Sequence, residues 1–259
     1  MNKKVEVLPD KNALVERALS LILSKVEPSI QQRGRFTIAL SGGSTPKPLY
    51  EALSREKLPW DKIHVLWGDE RYVASNHPDS NELMARNAWL DKVDIPAENI
   101  HAMPTDAAEP TQAAQQYEQH LQQLFNSSQG EFPAIDVILL GMGDDAHTAS
   151  LFPNTEALKV TDKLITVGNK DNSVRLTFTY PFINAAECVI FLVSGENKRP
   201  ALAQVFAPTA SETTYPSRLI QPQKELWWLL DQAAGAEIKN LTAKLSVIVK
   251  IKSDRKFEI

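Results

Sequence analysis

Four short segments of the chain are apolar at nearly every position, and stretches with helical spacing separate them. They are residues 35–40 (RFTIAL), 63–67 (IHVLW), 135–140 (IDVILL) and 187–193 (ECVIFLV). A strand with one face in water alternates apolar and polar residues, whereas a strand covered on both faces is apolar throughout. The sequence therefore predicts an α/β fold: a doubly wound, mostly parallel, Rossmann-like sheet with helices on both faces.

The remaining elements follow from the same patterns. Helices are predicted at 10–26, with Asp10 as the N-cap, and at 46–55, 80–91, 110–125 and 197–206, and strands at 164–167, 174–179 and 225–230. No linker rich in glycine, serine and proline divides the chain, so residues 1–259 are predicted to form one domain. Residues 236–259 are assigned to a C-terminal extension, in which 247–259 (VIVKIKSDRKFEI) is either an edge strand or a frayed tail.

Composition excludes several classes of protein. The net charge is −4, which is not the basic signature of a nucleic-acid binder. The single cysteine, Cys188, rules out an internal disulfide and a two-cysteine metal site. No apolar run reaches the roughly 20 residues of a membrane span, and Glu6, Pro9 and Asp10 interrupt any signal sequence. A cytoplasmic protein without membrane or nucleic-acid partners is expected.

Glycine is scarce, and its positions are informative. The chain has 10 glycines, where average usage would give roughly 18. Six of the ten lie just past a predicted strand: Gly42, Gly43, Gly68, Gly141, Gly143 and Gly195. Because ligands of open α/β sheets bind beyond the carboxyl ends of the strands, these glycines mark the edge where a site is expected.

The segment SGGSTP, residues 41–46, is the first candidate. Gly42 and Gly43 permit close approach of a ligand, and the N–H groups at the start of the next helix would bind an anion such as phosphate. Ser44 or Thr45 is a plausible cap for that helix. The alternative is a tight strand–helix turn without a ligand. The segment is neither a Walker loop nor a dinucleotide fingerprint.

Two further segments carry charge at strand ends. In GDER, Asp69 and Arg71 suit the positioning of a substrate and the binding of an anion, although a surface ion pair is the alternative. Asn81 would cap the following helix or donate to a ligand. Lys198, in SGENK, follows another strand and is within reach of a phosphate, or is simply solvated.

The segment GMGDDAHTASLFP, residues 141–153, is the strongest candidate. His147 is predicted near a helix N-terminus, whose dipole would keep the imidazole neutral and basic. Asp145 would orient the ring. The alternative is a structural histidine, which we expect for His64, His77, His101 and His120.

In order along the chain, SGGSTPKPLYEAL, WGDERYV followed by SN, GMGDDAHTASLFP and SGENK resemble the 6-phosphogluconolactonase family. The resemblance spans roughly residues 38–234, and HTASLFP is its most specific part. It implies hydrolysis of 6-phosphoglucono-δ-lactone to 6-phosphogluconate in the oxidative pentose phosphate pathway, without a metal or organic cofactor. One departure is Ala146, where the family usually has glycine. If that position requires positive φ, alanine costs about 1 kcal/mol.

A mechanism follows from these expectations. The phosphate would bind the backbone of residues 42–45 with Arg71 and Lys198, His147 would activate water, and Asp69 and Asp145 would orient water or the histidine. The chain would act on a small sugar-phosphate lactone as a monomer or small homo-oligomer. Two alternatives stay open: an amino-sugar phosphate deaminase or isomerase of the same fold, and a non-catalytic sugar-phosphate sensor.

Overall fold

The structure, a computed structural model, describes residues 2–171 and 173–238. Its strands are β1 (Asn2–Leu8), β2 (Phe36–Leu40), β3 (Ile63–Trp67), β4 (Asp69–Arg71), β5 (Ile100–His101), β6 (Val137–Leu140), β7 (Ile165–Lys170), β8 (Ser173–Phe178), β9 (Cys188–Val193) and β10 (Glu225–Asp231). Its α-helices are α1 (Lys11–Arg33), α2 (Lys47–Leu53), α3 (Asn81–Ala88), α4 (Pro110–Phe125), α5 (Tyr180–Asn184), α6 (Arg199–Val205) and α7 (Gln232–Gly235). The predicted tail, 247–259, lies outside the described residues.

Seven strands form one sheet in the order β1-β10-β9-β6-β2-β3-β5, and every neighbouring pair is parallel. From β2 the chain proceeds outward to β3 and β5, then returns to β6 and proceeds the other way to β9 and β10. Because crossovers between parallel strands are right-handed, the two halves place their connections on opposite faces. The doubly wound prediction is confirmed, and the strand order reverses between β2 and β6.

The central strands are buried along their whole length. Every residue of β2, β6 and β9 is buried, as expected for strands covered on both faces. Farther toward the edge, the ring of Phe191 stacks on that of Trp228 with centroids 3.8 Å apart.

Several details differ from the sequence prediction. Strand β1 was not predicted, because NKKVEVL is polar enough to stand at the sheet edge beside β10. Helix α1 begins after the predicted cap Asp10 but continues through Pro28 to Arg33, past the predicted end at residue 26. Its contacts with β10, β9 and β2 show why: it crosses from the edge strand to the centre of the sheet.

Strands β4, β8 and β7 form a separate antiparallel sheet. The segments predicted at 164–167 and 174–179 therefore do not join the main sheet. The segment at 174–179 lies in β8 and pairs with Asp69–Arg71, which sequence reasoning had placed in a loop at the sheet edge, whereas the segment at 164–167 lies in β7 and pairs with β8. This second sheet carries charged side chains to the carboxyl ends of the parallel strands. Within the described ranges, no helix is both long and apolar enough to cross a membrane.

Candidate active site

A cleft of about 270 Å³ opens at the carboxyl ends of β2, β6 and β9, where the strand order reverses. Its walls are residues 41–46, Asp69, Arg71, Asn81, residues 141–143, His147, Ala149, Arg175, residues 192–194 and Lys198. Every residue that the sequence predicted for the site lines this cleft except Asp145, which contacts His147. The edge predicted from the glycines is therefore where these side chains meet.

His147 is held by Asp145. Atom Nδ1 of His147 lies 2.5 Å from Oδ1 of Asp145, and the backbone N–H of His147 donates to the same oxygen at 3.0 Å. A carboxylate only accepts hydrogen bonds, so Nδ1 carries the proton and Nε2 presents a lone pair. At Gly143 an added Cβ would lie 2.0 Å from Nδ1 of His147, so only glycine fits beside this ring.

The environment keeps His147 neutral. Burial lowers its pKa below the ordinary value, and this outweighs the hydrogen bond and the charge of Asp145, which act in the opposite direction. For Asp145, burial favours a higher pKa, but the hydrogen bonds from His147 and the charge of Lys170 prevail, so its pKa is lowered. A neutral imidazole beside an ionised carboxylate is the arrangement of a general base.

The predicted helix start at His147 is wrong. Residues 141–155 instead form tight turns, in which Gly143 donates to the carbonyl of His147 at 2.9 Å and Ala146 donates to Gly143 at 3.1 Å. Ala146 has φ of 62° and Ala149 has φ of 46°, which a right-handed helix does not permit. The imidazole is therefore kept neutral by burial and not by a helix dipole.

Ala146 stands at the position that was suspected of requiring positive φ, and the structure shows that it does. Its carbonyl accepts hydrogen bonds from the backbone N–H and the hydroxyl of Ser217, at 3.0 and 2.8 Å. These contacts impose the left-handed conformation on the residue that precedes His147.

Asp69 and Glu70 have different roles. Asp69 is buried at the cleft, where its Oδ2 accepts the hydroxyl of Ser150 at 2.7 Å. Its Oδ1 accepts no hydrogen bond from any described residue. Glu70 points to the start of α3, where it accepts the backbone N–H groups of Asn81 and Glu82 at 2.8 and 2.7 Å. Only Asp69 is therefore available to a ligand.

Asn81 braces the first loop. The N-cap of α3 is Ser80, whose hydroxyl accepts from Leu83, so a capping role for Asn81 is wrong. The Asn81 amide donates to the carbonyl of Asp69 at 2.9 Å, and a Cβ on Gly42 would lie 1.9 Å from its side-chain oxygen. Asn81 thus requires glycine at position 42 and joins the loop to the β3–β4 connection.

The loop at 42–45 presents free backbone donors. Gly43 has φ of 97°, and none of the N–H groups of residues 42–45 donates to an acceptor within the described part of the chain. The predicted cap by Ser44 or Thr45 is wrong, because α2 has Pro46 at its N-cap position without a side-chain hydrogen bond. Residues 42–45 line the cleft, so their uncommitted N–H groups are available to an anion.

Two arginines stand opposite each other on the second sheet. Arg71 of β4 is the cross-strand partner of Arg175 of β8, and both line the cleft. Like charges directly opposite in a sheet repel, so a bound anion would relieve the repulsion. Sequence reasoning missed Arg175 because it lies inside a strand; the signal was an arginine in the strand SVRLTF.

Lys198 completes the cationic wall. It lies in the turn after β9, and its ammonium group donates to Oδ1 of Asp144 at 2.5 Å. The side-chain amide of Asn197 donates to the same oxygen at 2.9 Å. The cleft is thus lined both by anion-binding groups, at residues 42–45, Arg71, Arg175 and Lys198, and by His147 and Asp69.

Comparisons with known proteins identify the family of this chain. Residues 9–228 match the family model described as glucosamine-6-phosphate isomerases/6-phosphogluconolactonase. The chain is 73% identical over 238 residues to a 6-phosphogluconolactonase of Nostoc, covering 92% of this chain and 99% of the relative. It is 61% identical to one of Synechocystis, covering 92% and 100%. The crystal structure of 6-phosphogluconolactonase from Leishmania guyanensis superposes with a TM-score of 0.82 at 26% identity, covering 91% and 98% of the two chains.

Proposed function

Because this chain belongs to the family of glucosamine-6-phosphate isomerases and 6-phosphogluconolactonases, we propose that it hydrolyses 6-phospho-D-glucono-1,5-lactone to 6-phospho-D-gluconate. This is the lactonase step of the oxidative pentose phosphate pathway. The observation that supports it most strongly is the Asp145–His147 pair, which faces the same cleft as a cluster of anion-binding groups. A phosphorylated lactone matches both parts of this cleft, because its phosphate suits the anion-binding groups and its ester carbonyl suits a base such as His147.

The phosphate binds to the basic groups that line the cleft. The N–H groups of residues 42–45 supply hydrogen bonds, and Arg71, Arg175 and Lys198 supply charge. Binding of the distant phosphate fixes the position of the lactone ring, which brings its carbonyl carbon toward His147 and Asp69. The phosphate contacts are the same in substrate and product, so they set affinity more than the chemical rate.

Hydrolysis then needs one base and one acid, and His147 serves as both. Its Nε2 removes a proton from a water molecule while the water oxygen attacks the carbonyl carbon. The tetrahedral intermediate collapses, the bond from the carbonyl carbon to the ring oxygen breaks, and the imidazolium returns its proton to that oxygen. Asp145 stabilises the imidazolium between the two steps, and Asp69 orients the attacking water through its free oxygen.

A covalent serine intermediate is not required. Ser150 is near the site, but its hydroxyl donates to Asp69 and not to a histidine. Ser150 is also fully buried and does not line the cleft, so its oxygen has no access to a carbonyl carbon bound there. Water activated by His147 is therefore the proposed nucleophile.

The test is a hydrolysis assay on freshly prepared lactone, with acid release followed at constant pH and spontaneous opening subtracted. The proposal expects enzyme-dependent acid release, and no ammonia release from glucosamine 6-phosphate under the same conditions. Ammonia release without lactone hydrolysis would indicate the deaminase instead. Phosphate binding with neither activity would indicate a sugar-phosphate sensor.

Other expectations of the sequence stay predictions. The cytoplasmic location, the absence of a nucleic-acid partner, the state as a monomer or small homo-oligomer, and the single domain over residues 1–259 are among them. The lactonase chemistry proposed for His147, Asp145 and Asp69 uses water as the only co-reactant.

A further inference from the structure

The ammonium group of Lys198, which lines the cleft, is already bound to a carboxylate of the same chain. Its Nζ lies 2.5 Å from Oδ1 of Asp144, and Asn197 donates to that oxygen as well. The side chain of Lys198 is 20% exposed, whereas that of Asp144 is 63% exposed. Asp144 therefore lies at the rim of the cleft and reaches Lys198 from the solvent side.

The elements on both sides of this pair are fixed. Lys198 follows Gly195, whose N–H donates to the buried carboxylate of Asp231 at 3.2 Å. Asp144 directly precedes Asp145, which is bonded to His147. The pair thus connects the turn after β9 to the turn that positions His147, and any ligand that recruits Lys198 competes with Asp144.

We propose that Asp144 competes with the phosphate group of the ligand for Lys198 and thereby weakens the binding of phosphorylated substrate and product. The choice of ligand rests on the proposed function, but the competition applies to any phosphate in the cleft. Asp144 is a positioning residue in this role, since it acts through Lys198 and is not itself in the wall of the cleft.

The carboxylate of Asp144 reduces the attraction between Lys198 and a bound phosphate. A phosphate dianion that approaches Lys198 either displaces the carboxylate or stays close to it, and both outcomes reduce the net attraction. The hydrogen bond from Lys198 holds the pKa of Asp144 below its usual value, so the carboxylate is charged whenever the enzyme works. Because product and substrate carry the same phosphate group, weaker phosphate binding also speeds the release of product.

The test compares Asp144→Asn with the wild-type protein and with a matched control, Glu196→Gln. Glu196 lies two residues from Lys198 and pairs with Arg199 at 2.7 Å, so its change removes an equal charge nearby without freeing Lys198. The dissociation constants of inorganic phosphate and of 6-phosphogluconate are measured by calorimetry. Asp144→Asn is expected to tighten both by about three- to tenfold, and Glu196→Gln by less than about twofold.

A second comparison assigns the effect to Lys198. In a Lys198→Met background, exchanging Asp144 for asparagine is expected to change phosphate affinity by less than about twofold. In steady-state kinetics with the lactone, Asp144→Asn lowers KM by the same factor by which it tightens binding and does not lower kcat/KM. Asp144→Glu retains the wild-type constants.

Weaker phosphate binding by Asp144→Asn would overturn the proposal, because it would show that Asp144 prepares Lys198 for the ligand. The proposal would also be overturned if Asp144→Asn tightened phosphate binding no more than Glu196→Gln does. The same holds if Asp144→Asn tightened phosphate binding as much in the Lys198→Met background as in the wild type. Thermal unfolding of each variant confirms that it is folded. Phosphate binding needs no turnover, so a protein without lactonase activity would refute the proposed function while leaving this result intact.

Discussion

Oδ1 of Asp145 accepts two hydrogen bonds from His147, one from the ring and one from the backbone, at 2.5 and 3.0 Å. The two bonds fix the tautomer and the orientation of the ring together. On the far side, Oδ2 of Asp145 lies 3.9 Å from the ammonium group of Lys170. The ammonium group of Lys170, the carboxylate of Asp145 and the imidazole of His147 thus form a row of contacts in space. The charge of Lys170 opposes protonation of His147.

The pH profile tests this arrangement. Burial and the charge of Lys170 lower the pKa of His147, so kcat/KM is expected to fall only at pH below the ordinary histidine value of about 6.5. Lys170→Met removes a cation, which favours the imidazolium and moves the acid limb to higher pH. Lys170→Arg keeps the limb in place. A limb that is unmoved, or moved to lower pH, in Lys170→Met would contradict the electrostatic role.

Arg175 is expected to bind the phosphate. Arg175→Ala should raise KM for the lactone by about tenfold or more and change kcat by less than about threefold, because the phosphate contacts act equally on ground and transition states. Arg86→Ala, which removes an arginine paired with Glu82 on the surface of α3, is the control. An unchanged KM in Arg175→Ala would remove this residue from the phosphate site.

Ala146 provides a test of backbone strain. Glycine there relieves a left-handed alanine but loses a buried methyl group, so Ala146→Gly should change the free energy of unfolding by less than about 1 kcal/mol. Ala146→Val adds volume and a β-branched residue at φ of 62°, where the side chain is fully buried. We expect it to lower the free energy of unfolding by about 2–4 kcal/mol. Chemical denaturation measures both, and equal effects would contradict the assignment of strain.

Three histidines outside the cleft, His64, His101 and His120, are expected to make the free energy of unfolding fall at acid pH. His101 contacts His64 through one ring nitrogen at 2.9 Å and His120 through the other at 2.8 Å. Burial, followed by the charges of the neighbouring groups, lowers the pKa of His101 to about 4. Between that value and the unfolded value of about 6.5, the unfolded chain binds more protons, so the stability present above pH 6.5 is lost as pH falls.

Urea denaturation at pH 7.5 and pH 5 measures this loss. We expect the free energy of unfolding of the wild-type protein to fall by about 2 kcal/mol more than that of His101→Gln over this interval. His77→Gln, at an exposed histidine, is the control. Equal losses in the wild type and His101→Gln would contradict the assignment.

The sequence predicted the position of the site better than its local structure. The apolar strands placed the sheet, and glycines after the strands marked its carboxyl edge, because both follow from short-range patterns. His147, Asp69 and Lys198, which were chosen in this way, all line the cleft. The helix expected after Gly141 does not form, because Ala146 and Ala149 adopt left-handed conformations. Alanine rarely takes this conformation, so the sequence did not predict it.

Long-range pairing explains the other misses. Arg175 faces Arg71 only because β8 pairs with β4 across more than a hundred residues of sequence. Similarly, Asn81 was predicted to cap a helix or to donate to a ligand, whereas its contact with Gly42 depends on how α3 packs beside the loop at residues 41–46. Neither arrangement leaves a periodic signal in the sequence around the residue concerned.

The most direct test of His147 as the catalytic base is the turnover of fresh lactone by His147→Gln, measured beside the wild type with spontaneous hydrolysis subtracted. Glutamine keeps much of the volume of the side chain but cannot act as a base. We expect kcat to fall by about a thousandfold or more, with phosphate affinity within about threefold of the wild type. Turnover by His147→Gln within about tenfold of the wild-type rate would contradict this role of His147.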